Sequence, residues 1–159
     1  MSRSVWRIAA ETLHYPAIDL SGEGARITGG RWNTAGRAMI YTSESRALAC
    51  LETLVHFKAS SLPLNRYLVR IDIPDTVWSA STRLEAATSP VGWDAEPAGL
   101  ASVTAGITWL NGGSSCLLLV PSVIVSEERN VLINPAHPDC KTLTATSVRR
   151  WLYDPRFAL

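Results

Sequence analysis

Apolar residues in this chain come in short blocks separated by polar, glycine- and proline-containing stretches. Residues 5–10, Val-Trp-Arg-Ile-Ala-Ala, read as a strand. Residues 38–42 form a second apolar block that ends near Tyr41, after which Ser43 or Ser45 stands where an N-cap opens a helix running to about Phe57. On that helix Ala47, Leu48, Leu51, Leu54 and Val55 fall within about 120° of arc at about 100° per residue, the width of a core-facing stripe. Glu52 lies just off its edge, either a boundary residue or one pointing into a cleft. Residues 67–73 alternate, with Val69, Ile71 and Ile73 on one side and Leu68, Arg70 and Asp72 on the other, and Pro74 ends the strand.

Residues 76–97 carry Pro90, Gly92 and Pro97 among polar residues and are expected to run irregularly over the surface. A second helix is expected from about Pro97, with Leu100, Val103, Ile107 and Leu110 as its apolar face and Asn111, Gly112 and Gly113 as its stop. Residues 116–125 are nearly all apolar until Pro121 and Ser122, as in a buried strand that bends at the proline. Residues 131–133 give one more short strand before the turn chemistry of Asn134, Pro135 and Pro138. Strands outnumber helices and do not alternate with them regularly, so the expected class is α+β: a single compact domain over residues 1–159 whose central mixed or antiparallel sheet carries flanking helices.

Composition narrows the chemistry. In 159 residues, 15 Lys+Arg against 14 Asp+Glu leave a net charge of +1, so no global field draws the chain to a nucleic-acid backbone or an anionic membrane. No run approaches the ~20 apolar residues of a membrane span, and the charged N-terminus does not read as a secretory signal, so a cytoplasmic location is expected. Cys50, Cys116 and Cys140 have neither C-x-x-C spacing nor a histidine partner and read as free thiols, with no metal site. His56 lacks partners at metal-binding spacing. No Walker loop and no G-x-G-x-x-G entering a helix is present. A hydrolase triad of Ser122, His137 and Asp139 is disfavoured because no nucleophile elbow surrounds Ser122.

The residues from 19 to 36 hold Gly22, Gly24, Gly29, Gly30 and Gly36, which suits close approach to a ligand as well as plain turning. Within and after them stand Gly24-Ala25-Arg26, Gly29-Gly30-Arg31-Trp32-Asn33, Ile40-Tyr41-Thr42-Ser43 and Ala49-Cys50-Leu51-Glu52-Thr53-Leu54-Val55-His56. Later come Trp109-Leu110, the apolar run to Pro121 with Ser122, Asn134-Pro135-Ala136-His137-Pro138-Asp139 and Asp154-Pro155-Arg156. In order and spacing these segments, over residues 5–157, resemble the RES domain, a family named for an arginine, a glutamate and a serine. One departure is visible: where the family's second helix reads Gly-Asp, this chain has Gly106-Ile107.

The resemblance implies a fold similar to ADP-ribosyltransferase toxins, and the toxin half of a bacterial toxin-antitoxin pair that degrades NAD+ by hydrolysis or phosphorolysis. It further implies an Xre-type helix-turn-helix antitoxin as hetero-oligomeric partner, with DNA contacted only through it and no membrane contact. No cofactor is expected beyond NAD+ as substrate and inorganic phosphate as a co-substrate if the reaction is phosphorolysis. The alternatives are an ADP-ribosyltransferase that modifies a macromolecule and a catalytically inactive antitoxin-binding module.

Carried over residue by residue, the family's active-site motifs place Arg31, Tyr41, Glu52 and Ser122 in the catalytic set and Arg7, Tyr15 and Asn134 as substrate-binding candidates. The residue types suit the chemistry. Nicotinamide leaves as a neutral pyridine, so the demand falls on the positive charge growing at the ribose, which a carboxylate such as Glu52 stabilises. An arginine fork beside glycines matches a pyrophosphate. A tyrosine offers a flat face and a hydroxyl, and a serine a small donor and acceptor, so Tyr41 and Ser122 are expected to position the substrate.

Overall fold

The alternating blocks do become strands, and the seven described strands join one sheet. The computed structural model describes residues 1–57 and 61–158. The strands are β1 (Ser2–Ala10), β2 (Ile40–Ser43), β3 (Arg66–Pro74), β4 (Thr82–Arg83), β5 (Leu117–Pro121), β6 (Arg129–Ile133) and β7 (Thr144–Trp151), in the spatial order β4-β5-β6-β2-β1-β3-β7. Neighbours are antiparallel except β4 and β5, which are parallel. The helices are α1 (Glu23–Thr28), α2 (Arg46–Leu54), α3 (Asp75–Ser79) and α4 (Leu100–Gly112). This is the α+β domain with a mixed sheet and flanking helices that the pattern predicts.

Strand alternation sends successive residues to opposite faces, so each strand feeds two cores. Val5, Ile71, Leu117, Leu119, Val131 and Ile133 meet α3 residues Val77 and Trp78 in one core. On the other face Leu118, Val120 and Leu132 pack with Trp32, Trp93 and Trp109, while Trp6, Ile8 and Leu68 pack with Ala49 of α2 and Tyr153. Two separate cores therefore share that second face.

Several elements differ from the sequence expectation. Ser45, not Ser43, caps α2 by accepting from Leu48 N–H at 3.1 Å, and the helix ends at Leu54 rather than near Phe57. Its fully buried residues are Leu48 and Ala49, while Ala47 and Val55 of the expected stripe are exposed. At about 100° per residue Glu52 projects between Leu48 and Ala49, so it sits inside the buried arc rather than off its edge. The α4 face is also rotated: Leu100 is 82% exposed, and the helix buries Ser102, Gly106 and Trp109.

That rotation has a steric cause, because small residues let the helix approach the Trp32 backbone. A Cβ on Gly106 would lie 1.8 Å from the Trp32 carbonyl oxygen, and Ser102 Oγ donates to the Arg31 carbonyl at 2.8 Å. Residues 76–97 are not wholly irregular, since they contribute most of α3, all of β4 and the buried Trp93. The glycine-containing stretch contains α1, and β5 stops at Pro121 instead of running on to Val125. Strand β7 has no counterpart in the sequence reading; it is an edge strand whose residues are exposed or half-buried on both faces.

Candidate active site

Strands β1 and β2 are sheet neighbours, yet their register holds a single pair, Trp6↔Ser43. Beyond it each is held on its outer side only, β1 by β3 and β2 by β6. The parting of the two strands opens a cavity of about 1040 Å³, at the upper end of the range for small-molecule sites. Residues 7–10 of β1, residues 40–43 of β2, the segment around α1 and Glu52 with Thr53 of α2 line it.

Glu52 is one of four carboxylates that line this cavity, with Asp19, Glu23 and Glu96. Its Oε1 accepts from Ser122 Oγ at 2.8 Å and from Asn130 Nδ2 at 2.6 Å. Among the described residues Oε2 has no hydrogen-bond partner. One oxygen is thus fixed by two donors and the other is not. Ser122 itself is fully buried and outside the cavity lining: its Oγ also accepts from the N–H groups of Ile124 and Val125 at 3.1 Å each. It holds Glu52 and the turn after β5, and does not face the cavity.

Tyr41 lines the cavity but spends its hydroxyl on the protein. The oxygen accepts from Trp32 N–H at 3.0 Å and donates to Asn33 Oδ1 at 2.6 Å. Asn33 in turn donates to the carbonyls of Ala25, Thr34 and Arg37, so one tyrosine–asparagine pair, half-buried on the tyrosine side, shapes the whole turn of the Gly-Gly-Arg-Trp-Asn motif. Gly30 is needed there, because a Cβ would come within 2.7 Å of the Tyr41 oxygen. Burial pushes the Tyr41 phenol well above its ordinary pKa, only partly offset by its hydrogen bonds.

Arg31 reaches the cavity edge and is engaged by the segment before α4. Nη1 donates to the carbonyls of Ala95 at 2.7 Å and Trp93 at 3.3 Å, and Nη2 pairs with Glu96 Oε2 at 2.8 Å. Arg7 enters from β1, where burial lowers its pKa from the free value, opposed by the nearby Asp19; its Nη1 makes one long bond of 3.3 Å to the Asp19 carbonyl. An arginine remains charged at neutral pH even so, and Arg7 is a cation with spare donors at the cavity wall. Tyr15 lines the same wall, its hydroxyl 3.4 Å from the point where a Cβ on Gly24 would lie.

The structure therefore brings together Arg7, Tyr15, Arg31, Tyr41 and Glu52 around one space. Asn134 is not among them: it is buried after β6, its Oδ1 accepting from Ala136 N–H at 3.0 Å in a local turn. Asn130, Ser43, His56 and Arg66 also line the cavity and were not singled out as site residues. For Asn130 the sequence carried a signal, a polar amide opening the strand Arg-Asn-Val-Leu-Ile on the side that its next-but-one neighbour Leu132 buries. No cluster of His, Cys, Asp and Glu fit to hold a metal occurs among the described residues. None of the described helices is long and apolar enough to cross a membrane.

Comparison with known proteins gives the family and the fold. The family model described as the RES domain matches residues 4–155. A Sphingobium protein named Prs ADP-ribosylating toxin is 58% identical over 156 residues, covering 98% of this chain and 97% of that protein. A Yersinia enterocolitica protein named Toxin Res is 40% identical over 143 residues, covering 89% of this chain and 92% of the other. Among solved structures, a chain of the Mycobacterium tuberculosis MbcT-MbcA toxin-antitoxin complex superposes with a TM-score of 0.55 at 22% identity, covering 94% of this chain and 85% of that one, which establishes likeness of fold. With the family model spanning nearly its whole length, the chain belongs to the RES domain family.

Proposed function

We propose that the protein is the toxin of a toxin-antitoxin pair and that its cavity binds NAD+ and cleaves the nicotinamide–ribose bond. The observation that carries this is Glu52, with Oε1 fixed by Ser122 and Asn130 and Oε2 at the cavity wall without a partner among the described residues. Arg7 and Arg31 supply two cations for the pyrophosphate. In the reaction the bond from the ribose anomeric carbon to the nicotinamide nitrogen breaks, and its electron pair leaves with neutral nicotinamide. Glu52 Oε2 stabilises the positive charge that grows on the ribose. An acceptor then forms a bond to the anomeric carbon from the opposite face and gives up its proton to solvent or to the carboxylate.

For the acceptor, the name of the Sphingobium relative at 58% identity favours a protein, Prs being the first to try, over the water or phosphate that the sequence resemblance led us to expect. The partner is an antitoxin, of the helix-turn-helix class in the sequence reading, that covers the cavity mouth. NAD+ carrying label in its ADP-ribose half, incubated with the protein, with and without phosphate and with and without Prs, separates these acceptors. Label on Prs supports transfer, free ADP-ribose in every buffer means hydrolysis, and ADP-ribose-1″-phosphate only with phosphate means phosphorolysis. No loss of NAD+ from a folded protein in any mixture overturns the reading. Glu52→Ala is expected to lower whichever turnover is seen by about 10² to 10³-fold.

A further inference from the structure

Two polar side chains lie in series beneath the acting carboxylate, in the gap between the two cores that share a sheet face. Ser43 ends β2 and Asn130 lies directly opposite it on β6, in register. Ser43 Oγ donates to Asn130 Oδ1 at 2.8 Å, and Asn130 Nδ2 donates to Glu52 Oε1 at 2.6 Å. An amide has one accepting and one donating end, and Ser43 settles which end meets Glu52. Without that hydroxyl only the repulsion between two acceptors keeps the amide oxygen from the carboxylate, and the amide is held less firmly.

From this arrangement we infer that Asn130, oriented by Ser43, is a positioning residue that fixes the rotation of the Glu52 carboxylate and so aims Oε2 into the cavity. Ser122 alone does not set this angle. A single donor leaves a carboxylate free to swing about one hydrogen bond, whereas two donors converging on one oxygen from β6 and from the turn after β5 determine its plane. The location adds a second role, since Ser43 is also the residue paired with Trp6 at the single point where β1 and β2 meet. Whatever fixes the Glu52 angle is therefore anchored at the apex of the cleft, and the carboxylate keeps its aim if the cleft walls move. The inference rests on the reading of Glu52 as the acting group.

Two readouts test it: growth arrest on expression, which does not presuppose the reaction, and steady-state turnover of NAD+ by purified protein. Asn130→Ala and Asn130→Asp are expected to lower kcat by about 10²-fold with KM within about twofold, because misaiming a reacting group affects the chemical step. Both variants should lose growth arrest to the same extent as Glu52→Ala. Ser43→Ala should lower kcat by about tenfold, and Ser43→Thr, which keeps the hydroxyl, should recover most of that loss. A crystal structure of Asn130→Ala should show the Glu52 carboxylate rotated.

Ser43→Ala is the smaller lesion and serves if the Asn130 variants do not fold. Full kcat in folded Asn130→Ala, or a raised KM with unchanged kcat, overturns the inference, the second outcome by making Asn130 a substrate contact. If wild type arrests growth but does not consume NAD+, the functional reading fails, and the growth readout still decides on Asn130. Growth arrest that does not depend on Glu52 overturns both.

Discussion

Tyr41 has a role in the structure that differs from the one its position suggested. It stands in the cavity wall, but its hydroxyl is committed to Trp32 N–H and Asn33, so its function is to hold the glycine-rich turn that presents Arg31. Tyr41→Phe should cost about 1–3 kcal/mol at neutral pH by leaving Asn33 Oδ1 and Trp32 N–H short of a partner. The tyrosine also makes stability depend on alkaline pH. Its folded pKa is raised by burial, so its stabilising contribution is complete below the unfolded value of about 10 and falls as pH rises above that toward the folded value. Urea unfolding at pH 8 and pH 11 should show a smaller alkaline loss in Tyr41→Phe than in wild type. What remains comes from other buried groups whose pKa values are raised, Cys50 and Tyr153 among them.

At the scale of elements, helix α4 shows what hydrophobic periodicity reveals and what it hides. The existence of the helix and its stop at Gly113 were legible, since Leu100, Val103, Ile107 and Leu110 repeat at helical spacing and glycine takes the left-handed cap at φ 60°. Its buried face was not, because contact there is made by small residues that let backbone meet backbone. Gly106→Ala should unfold the protein or lower its stability by about 3 kcal/mol or more, as measured by the urea midpoint. Gly112→Ala, at a helical glycine with open space around it, should stabilise by about 0.4–1 kcal/mol.

Strand β7 escaped notice for a related reason: with neither face buried, its residues show no alternation to read. Glu52 and Ser122 were both legible through their motifs, whereas Asn130 was not, and only the sheet order shows that Ser122, after β5, and Asn130, on β6, converge on Glu52. The segment before α4 carries its own prediction. Glu96, with a side chain 78% exposed, pairs with an Arg31 side chain that is 19% exposed, so it competes with a phosphate for the guanidinium. An exposed pair of this kind is worth about 0.2–1 kcal/mol. Glu96→Ala should therefore lower KM for NAD+ by up to about fivefold and leave kcat alone, as read from initial rates.

Across the full chain, the charge of +1 leaves no field for steering onto DNA, which is consistent with the proposal that an antitoxin partner, and not this chain, makes any contact with DNA. Co-expression with the proposed antitoxin should yield a complex that stays together through gel filtration. In that complex NAD+ turnover should fall to background if the antitoxin covers the cavity mouth. A pair that separates on the column, or a complex as active as the free protein, counts against that arrangement.

The single Trp6↔Ser43 pair bears on how the substrate is recognised. Where two strands part, the edges they turn toward each other keep peptide N–H and C=O groups outside any ladder, and here those edges face the cavity along residues 7–10 and 40–42. A carboxamide such as that of nicotinamide is complementary to such groups. Recognition written in peptide bonds is silent in an alanine scan, since every side chain along those edges can be exchanged without touching it. The mutations that would reveal it are proline substitutions, or an ester in place of one amide, at the parted edges.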